Sequence, residues 1–292
     1  MSTVYGSRPV KRQRRTQAEL SNIHAALYSY AEEHRPVTVR QLFYAMSVQG
    51  IVPKEETGYK VVQRELLKLR RSGALPYHWI SDNTRWMTKP RSFSSLKEAA
   101  IHTVRTYRRA VWLDAPAYIE VWCEKDALAG VIAEETGPYD VPLMVARGFS
   151  SETFLYSTGE RAAQEGRPCH FYYFGDHDPS GVVIPRKIEE GIRRHAPHAE
   201  IHFQRVGITE EQVSAWNLPT RPTKQSDSRS KSFRGESCEL DALPPAQLRA
   251  LVRACIESHI NPRTLEEIKR QEQEEKETWL AAWGLLDEGG AA

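Results

Sequence analysis

The chain has 292 residues, a formal net charge of +2, 40% hydrophobic residues and 27% charged residues. Those are globular proportions, with room for two domains that each bury a core. No apolar run approaches the roughly 20 residues of a membrane span. The polar, basic N-terminus is not a secretory signal. The four cysteines (Cys123, Cys169, Cys238 and Cys255) lack CxxC spacing. A cytoplasmic protein with reduced thiols is expected, without a zinc site or a disulfide framework.

The small net charge conceals an asymmetry. Residues 1–114 hold 20 Lys/Arg against 9 Asp/Glu, and residues 115–292 hold 20 against 29. The first part has the charge of a polyanion-binding module; the second is an acidic body.

In chain order, residues 1–16 carry Lys11-Arg12-Gln13-Arg14-Arg15 and are expected to form a basic flexible arm. Residues 17–90 alternate helical patterns with short turns. Thr16 or Ser21 caps a helix bearing Ile23, Ala26, Leu27 and Tyr30 at helical spacing. Thr38 caps a second helix through Met46. A third runs from about Gly58 to Arg71, with Val61, Val62, Leu66 and Leu69 inward and Lys60, Arg64, Lys68, Arg70 and Arg71 outward. Leu75 to Trp86 is predicted to form a short β-hairpin around Asp82-Asn83. Three helices followed by such a wing make the winged-helix pattern, whose recognition helix enters the major groove of duplex DNA. The expected DNA-binding residues are Lys11, Arg12, Arg14 and Arg15 of the arm and the five outward cations of the third helix. Residues 91–117 form a linker with one helix of its own.

Residues 118–292 make the second unit. Strands at 118–123, 142–145, 169–175 and 200–205 alternate with helices at 126–135, 151–165 and 181–195. That order predicts the α/β class, a parallel sheet covered by helices. Residues 217–239 are expected to be irregular. Helices at 244–259 and 263–282 follow, the last a densely charged, solvated helix without coiled-coil heptads.

Two of these strands end abruptly in acids. The first runs into Cys123-Glu124-Lys125-Asp126, and the third into Gly175-Asp176-His177-Asp178-Pro179-Ser180-Gly181. Acids at the C-terminal ends of parallel strands point into the crevice where α/β folds place ligands. Glu124, Asp176 and Asp178 converging there would repel one another unless a divalent cation neutralised them. Oxygen-only ligation suits Mg²⁺, with Mn²⁺ as its substitute, better than zinc. His177 is then a spacer, Glu120 a weaker candidate than Glu124, and Lys125 and Asp126 caps of the following helix. The residues alone leave other roles open: Glu124 as a favoured neighbour of a helix N-terminus, the aspartates as turn formers, Tyr44 as a core aromatic.

Three segments resemble the A subunit of type IIB topoisomerases (topoisomerase VI) and its meiotic relative, the double-strand-break transesterase. Arg40-Gln41-Leu42-Phe43-Tyr44 is similar to that family's Arg-x-x-aromatic-Tyr motif, Val121 to Asp126 to its Toprim glutamate strand, and Asp176 to Gly181 to its Asp-x-Asp-Pro-x-Gly. The resemblance spans roughly residues 37–245. It implies a winged-helix domain followed by a Toprim domain, a Rossmann-like parallel sheet. It also implies Mg²⁺-dependent cleavage of double-stranded DNA by tyrosine transesterification, with Tyr44 as nucleophile, Arg40 beside it and the metal on Glu124, Asp176 and Asp178. A homodimer follows, the tyrosine of one protomer working with the metal site of the other, and a nucleoid-associated location. The chain has Phe43 where the family often has Tyr and no Walker-type Gly-rich loop, so it resembles a reduced, stand-alone member. A B-type ATPase subunit is the further partner the family implies. Hydrolysis by a Toprim-type nuclease with Tyr44 idle, or a non-catalytic DNA-binding assembly subunit, are the alternative readings.

Overall fold

The computed structural model describes residues 15–81, 90–148, 150–223, 233 and 235–283. Lys11, Arg12 and Arg14 lie outside them. Helix α1 is Gln17–His34, α2 is Val39–Val48 and α3 is Glu56–Arg71. Thr16 and Thr38 close reciprocal capping boxes with Glu19 and Gln41, which satisfies orphan amides at both helix starts. The three helices bury Ile23, Leu27, Leu42, Met46, Val62 and Leu66 among themselves.

The expected hairpin does not start at Leu75. Tyr77–Trp79 form a single 3-10 turn, and Ile80 joins Val37 in an isolated parallel bridge. Trp79 is buried against Tyr28, ring centroids 5.4 Å apart, so burial of a large aromatic outweighs strand propensity there. The remainder of that hairpin, including Asp82-Asn83, lies outside the described residues. Helix α4 is Leu96–Thr106, started by Ser95.

The α/β expectation holds. Strands β1 (Tyr118–Cys123), β2 (Leu143–Val145), β3 (Cys169–Phe174) and β4 (Ile201–Gly207) form a four-stranded sheet in the order β2-β1-β3-β4, every pair parallel. Helices α5 (Asp126–Thr136), α6 (Glu152–Glu165) and α7 (Ile184–His195) make the crossovers. From β1 the chain moves outward to β2, then returns across the sheet to β3 and on to β4. The order therefore reverses between β1 and β3, and the crevice beyond their C-terminal ends is a topological switch point.

On one face of the sheet, α6 and α7 cover Trp122, Phe171 and Tyr173. Glu120 is buried on this side, accepting hydrogen bonds from Tyr118, Trp122 and Arg161, so it is structural. Val121, Cys123, Tyr172 and Phe174 pack on the other side, where α9 (Pro245–Glu257) joins α5. That cluster is continuous with the interior of α1 to α3, so the two units read from the sequence share one hydrophobic core. Helix α8 (Glu210–Ala215), capped by Thr209, was not expected; α10 (Pro262–Ala282) buries only Leu265 and is the solvated helix foreseen. All four thiols are free. Among the described residues no helix is long and apolar enough to cross a membrane.

At the opposite end of the sheet from the switch point, three imidazoles cluster. His170 on β3 stacks on His202 of β4 at 4.5 Å and meets His259, just past α9, at 4.3 Å. Tyr172 bonds His259 at 2.6 Å, and Glu200 bonds His202 at 2.9 Å. Burial, then the neighbouring imidazoles, lowers the pKa of His170 and of His259, while Glu200 opposes the shift at His170. The fold thus favours neutral rings and the unfolded chain takes up protons first. This contribution is fully present above the unfolded pKa and is lost as pH falls through it. Thermal unfolding should show a melting temperature that falls between about pH 7 and pH 5, with a smaller fall in His170→Gln.

Candidate functional site

The ladder between β1 and β3 runs one step past the strands, with the Glu124 amide donating to the Phe174 carbonyl at 2.9 Å. Glu124 and Asp176 are thereby held side by side. The Asp176 amide donates to Glu124 Oε2 at 3.1 Å, and the Tyr173 hydroxyl donates to the same oxygen at 3.2 Å. Gly175 makes room for this: a Cβ there would lie 2.5 Å from Glu124 Oε2. Burial first, then the charge of Asp176, raises the pKa of Glu124; burial likewise raises that of Asp176, although Lys125 opposes it.

Asp178 is turned differently. Its Oδ1 accepts from the amides of Ser180 at 3.0 Å and Gly181 at 2.7 Å, an Asx turn that starts the run into α7. A Cβ on Gly181 would sit 2.1 Å from the Asp176 carbonyl oxygen, which explains the glycine without chemistry. His177 is a spacer in the literal sense: its backbone pairs with Cys238, and its ring packs on Phe233.

Of the three predicted ligands, Glu124 and Asp176 are brought side by side, and the charge of Asp178 also acts on Glu124. Among the described residues no group of three or more His, Cys, Asp or Glu side chains is arranged to hold a metal ion. Asp176 Oδ1 instead accepts from the Leu240 amide at 2.7 Å and pairs with Lys125 Nζ at 2.9 Å. Glu124 and Asp176, crowded carboxylates with raised pKa values, are donors that suit a hard divalent cation. The bonds to Lys125 and Leu240 use only Oδ1 of Asp176, and those to Ser180 and Gly181 only Oδ1 of Asp178.

Lys125 is the N-cap residue of α5, as the sequence suggested, but its side chain makes no capping bond and turns elsewhere. Its ammonium lies 2.7 Å from Asp241 Oδ2, 2.9 Å from Asp176 and 3.7 Å from Glu239 Oε2. Burial alone would lower its pKa, but the three carboxylates outweigh that and raise it. Asp126, the other expected cap, pairs with Arg147 at 2.7 Å.

The same acids reach α2. Arg40 Nη1 donates to both oxygens of Glu239, at 3.1 and 2.8 Å, and Thr38 Oγ1 donates to Asp241 at 2.9 Å. Arg221 pairs with Glu239 at 2.6 Å. Tyr44 follows Arg40 by one helical turn and is only 6% exposed. Burial, then Glu239, raises its pKa, while Arg221, Arg40 and Lys125 oppose the shift, so its hydroxyl lies within the field of this network. A cleft of about 730 Å³ opens over the network, lined by Arg40, Arg70, Lys125, Arg147, Glu124, Asp176, Glu239 and Asp241. Tyr44 and Asp178 do not line it.

The cations predicted on α3 are partly engaged within the protein. Arg64 and Lys68 pair with the fully buried Glu65 at 2.8 and 2.9 Å, and His24 adds a third contact at 3.0 Å. Burial opposes, but these bonds bring Glu65 down to about 2. Lys60 lies 3.8 Å from Glu56, Arg70 sits over the Tyr77 ring and faces the cleft, and Arg71 is exposed. Arg15, half-exposed, precedes the Thr16 cap.

Sequence reasoning missed Lys125 as the centre of the network, together with Arg221, Glu239 and Asp241. The available signal was Glu239-Leu240-Asp241, two acids around an apolar residue directly after a polar stretch. Comparison of the chain with protein-family models and with curated proteins gives no match. Fold and site together define a parallel α/β protein whose switch-point cleft is lined by paired acids and four cations.

Removing Lys125 leaves Asp176 and Asp241 buried without their cation. Lys125→Met should cost about 3–5 kcal/mol in chemical denaturation, against about 0.5 kcal/mol or less for Lys60→Met on the exposed face of α3.

Proposed function

We propose that the chain is a divalent-cation-dependent DNA-cleaving transesterase of the type IIB topoisomerase kind. In this reading residues 17–90 are a winged-helix unit and residues 118–292 a Toprim unit. The observation that carries it is the shared cleft: Glu124 and Asp176, from the ends of adjacent parallel strands, face the same space as Arg40, one turn before Tyr44. Paired acids beside several cations suit phosphodiester chemistry, which depends on positioning and charge neutralisation more than on covalent assistance.

Arg40, Arg70 and Arg147 hold the DNA backbone in the cleft. The Tyr44 oxygen attacks a phosphorus atom and a phosphotyrosyl bond forms. One phosphodiester P–O bond breaks, the phenol gives up its proton, and the leaving deoxyribose oxygen takes one up as it becomes a hydroxyl. Glu124, Asp176 and Asp178 would hold Mg²⁺ or Mn²⁺, which would neutralise charge on the phosphate when bound. Two chains acting as a homodimer would cut both strands, and a B-type ATPase subunit is the further partner of this reading.

The depth of Tyr44 favours a second reading. Tyr44 is 6% exposed and does not line the cleft, and an activated water there could do the cutting with Tyr44 idle. Supercoiled plasmid incubated with Mg²⁺, denatured, then analysed with and without protease separates the two. Tyr44→Phe should lose the covalent protein–DNA adduct and keep duplex affinity, because it removes a hydroxyl and no charge. Cleavage that persists in Tyr44→Phe without adduct would make the protein a nuclease. Glu124→Gln should weaken Mn²⁺ binding in calorimetry; unchanged binding would remove Glu124 from the proposed site.

A further inference from the structure

Arg40 and Arg221, 181 positions apart in the chain, converge on one carboxylate. Glu239 is 5% exposed, whereas the two arginine side chains are each 38% exposed. A buried anion thus sits beneath two guanidinium groups that face solvent. Arg40 is also oriented from behind by the ring of Tyr59, 4.8 Å from its guanidinium carbon. Planar guanidinium groups bind carboxylate and phosphate through the same paired N–H geometry. Glu239 itself follows Ser237 and Cys238, whose backbones pair with Arg221 and His177 through isolated bridges, and it precedes Leu240, which is buried in the core.

We propose that Arg40 and Arg221 form a subsite for one backbone phosphate of DNA, and that Glu239 is the resident anion which this phosphate displaces. The inference rests on the DNA-cleaving reading and adds to it a residue that occupies the two arginines before DNA does. While Glu239 occupies the two arginines, α2 is tied through Arg40 to the segment before α9. A phosphate that takes Glu239's place releases Arg40, one helical turn before Tyr44, and leaves the Thr38–Asp241 bond in place. Glu239 is therefore a competitor of the substrate, and removing its charge should improve binding.

The test is fluorescence anisotropy of the full chain with a labelled duplex at two salt concentrations. Glu239→Gln keeps the side chain's shape and removes its charge. Its affinity should rise about threefold or more, and its salt slope should steepen by up to about 0.9, the value of one phosphate contact. Glu274→Gln makes the same charge change on exposed α10 and is the control for general electrostatics. An equal gain in the control, or no gain in Glu239→Gln, overturns the subsite. If Glu239→Gln fails to fold, Arg221→Lys serves: it keeps the charge, loses the paired geometry, and should weaken binding about threefold. Unchanged binding there overturns the proposal. Binding is read without cleavage, so the two failures are distinct. A Tyr44 adduct without the gain in Glu239→Gln defeats only the subsite; the gain without any adduct defeats only the transesterase reading.

Discussion

One ammonium group organises the functional end of this protein. Lys125 stands at the start of α5, and its Nζ meets Asp176 from the end of β3 and Asp241 from the approach to α9. Through Asp241 it reaches Thr38 at the start of α2, and through Glu239 it reaches Arg40. Four separate parts of the chain therefore depend on one half-buried charge. Asp176 and Asp241, almost fully buried, would be intolerable so close together without it.

The parallel sheet supplies the rest of the geometry. The β1–β3 register is regular to its last pair, Cys123 with Phe174, and the next backbone bond places Glu124 beside Asp176. The main chain thus fixes the height of the two acids. Asp178 is fixed instead by its own loop, through the amides of Ser180 and Gly181.

Much of this was legible in the sequence. The strands at Tyr118 and Cys169 announced themselves by apolar β-prone runs that stop at acids, and the capping boxes at Thr16 and Thr38 are short local patterns. What was not legible arises from distance along the chain. Glu239 and Asp241 matter because they meet Arg40 and Lys125, contacts that span 199 and 116 positions. No local periodicity encodes such a meeting. The cations of α3 misled for a related reason: their outward spacing was right, but Glu65 lies in the same helix and reaches two of them from an inward position. The 3-10 turn at Tyr77 reflects the burial of Trp79 against Tyr28 of α1, again a tertiary choice that overrides a local preference.

The shared core has a consequence for how the molecule holds together. Helices α1 to α3 and one face of the sheet bury their apolar residues in a single cluster, although their net charges are opposite in sign. Severing the chain between α4 and β1 would leave two pieces, each with exposed apolar surface that only the other covers. Their reunion would be a bimolecular event governed by mass action, so the melting point of the nicked protein would climb with its concentration. The basic and acidic portions are in that sense subunits joined by a peptide bond.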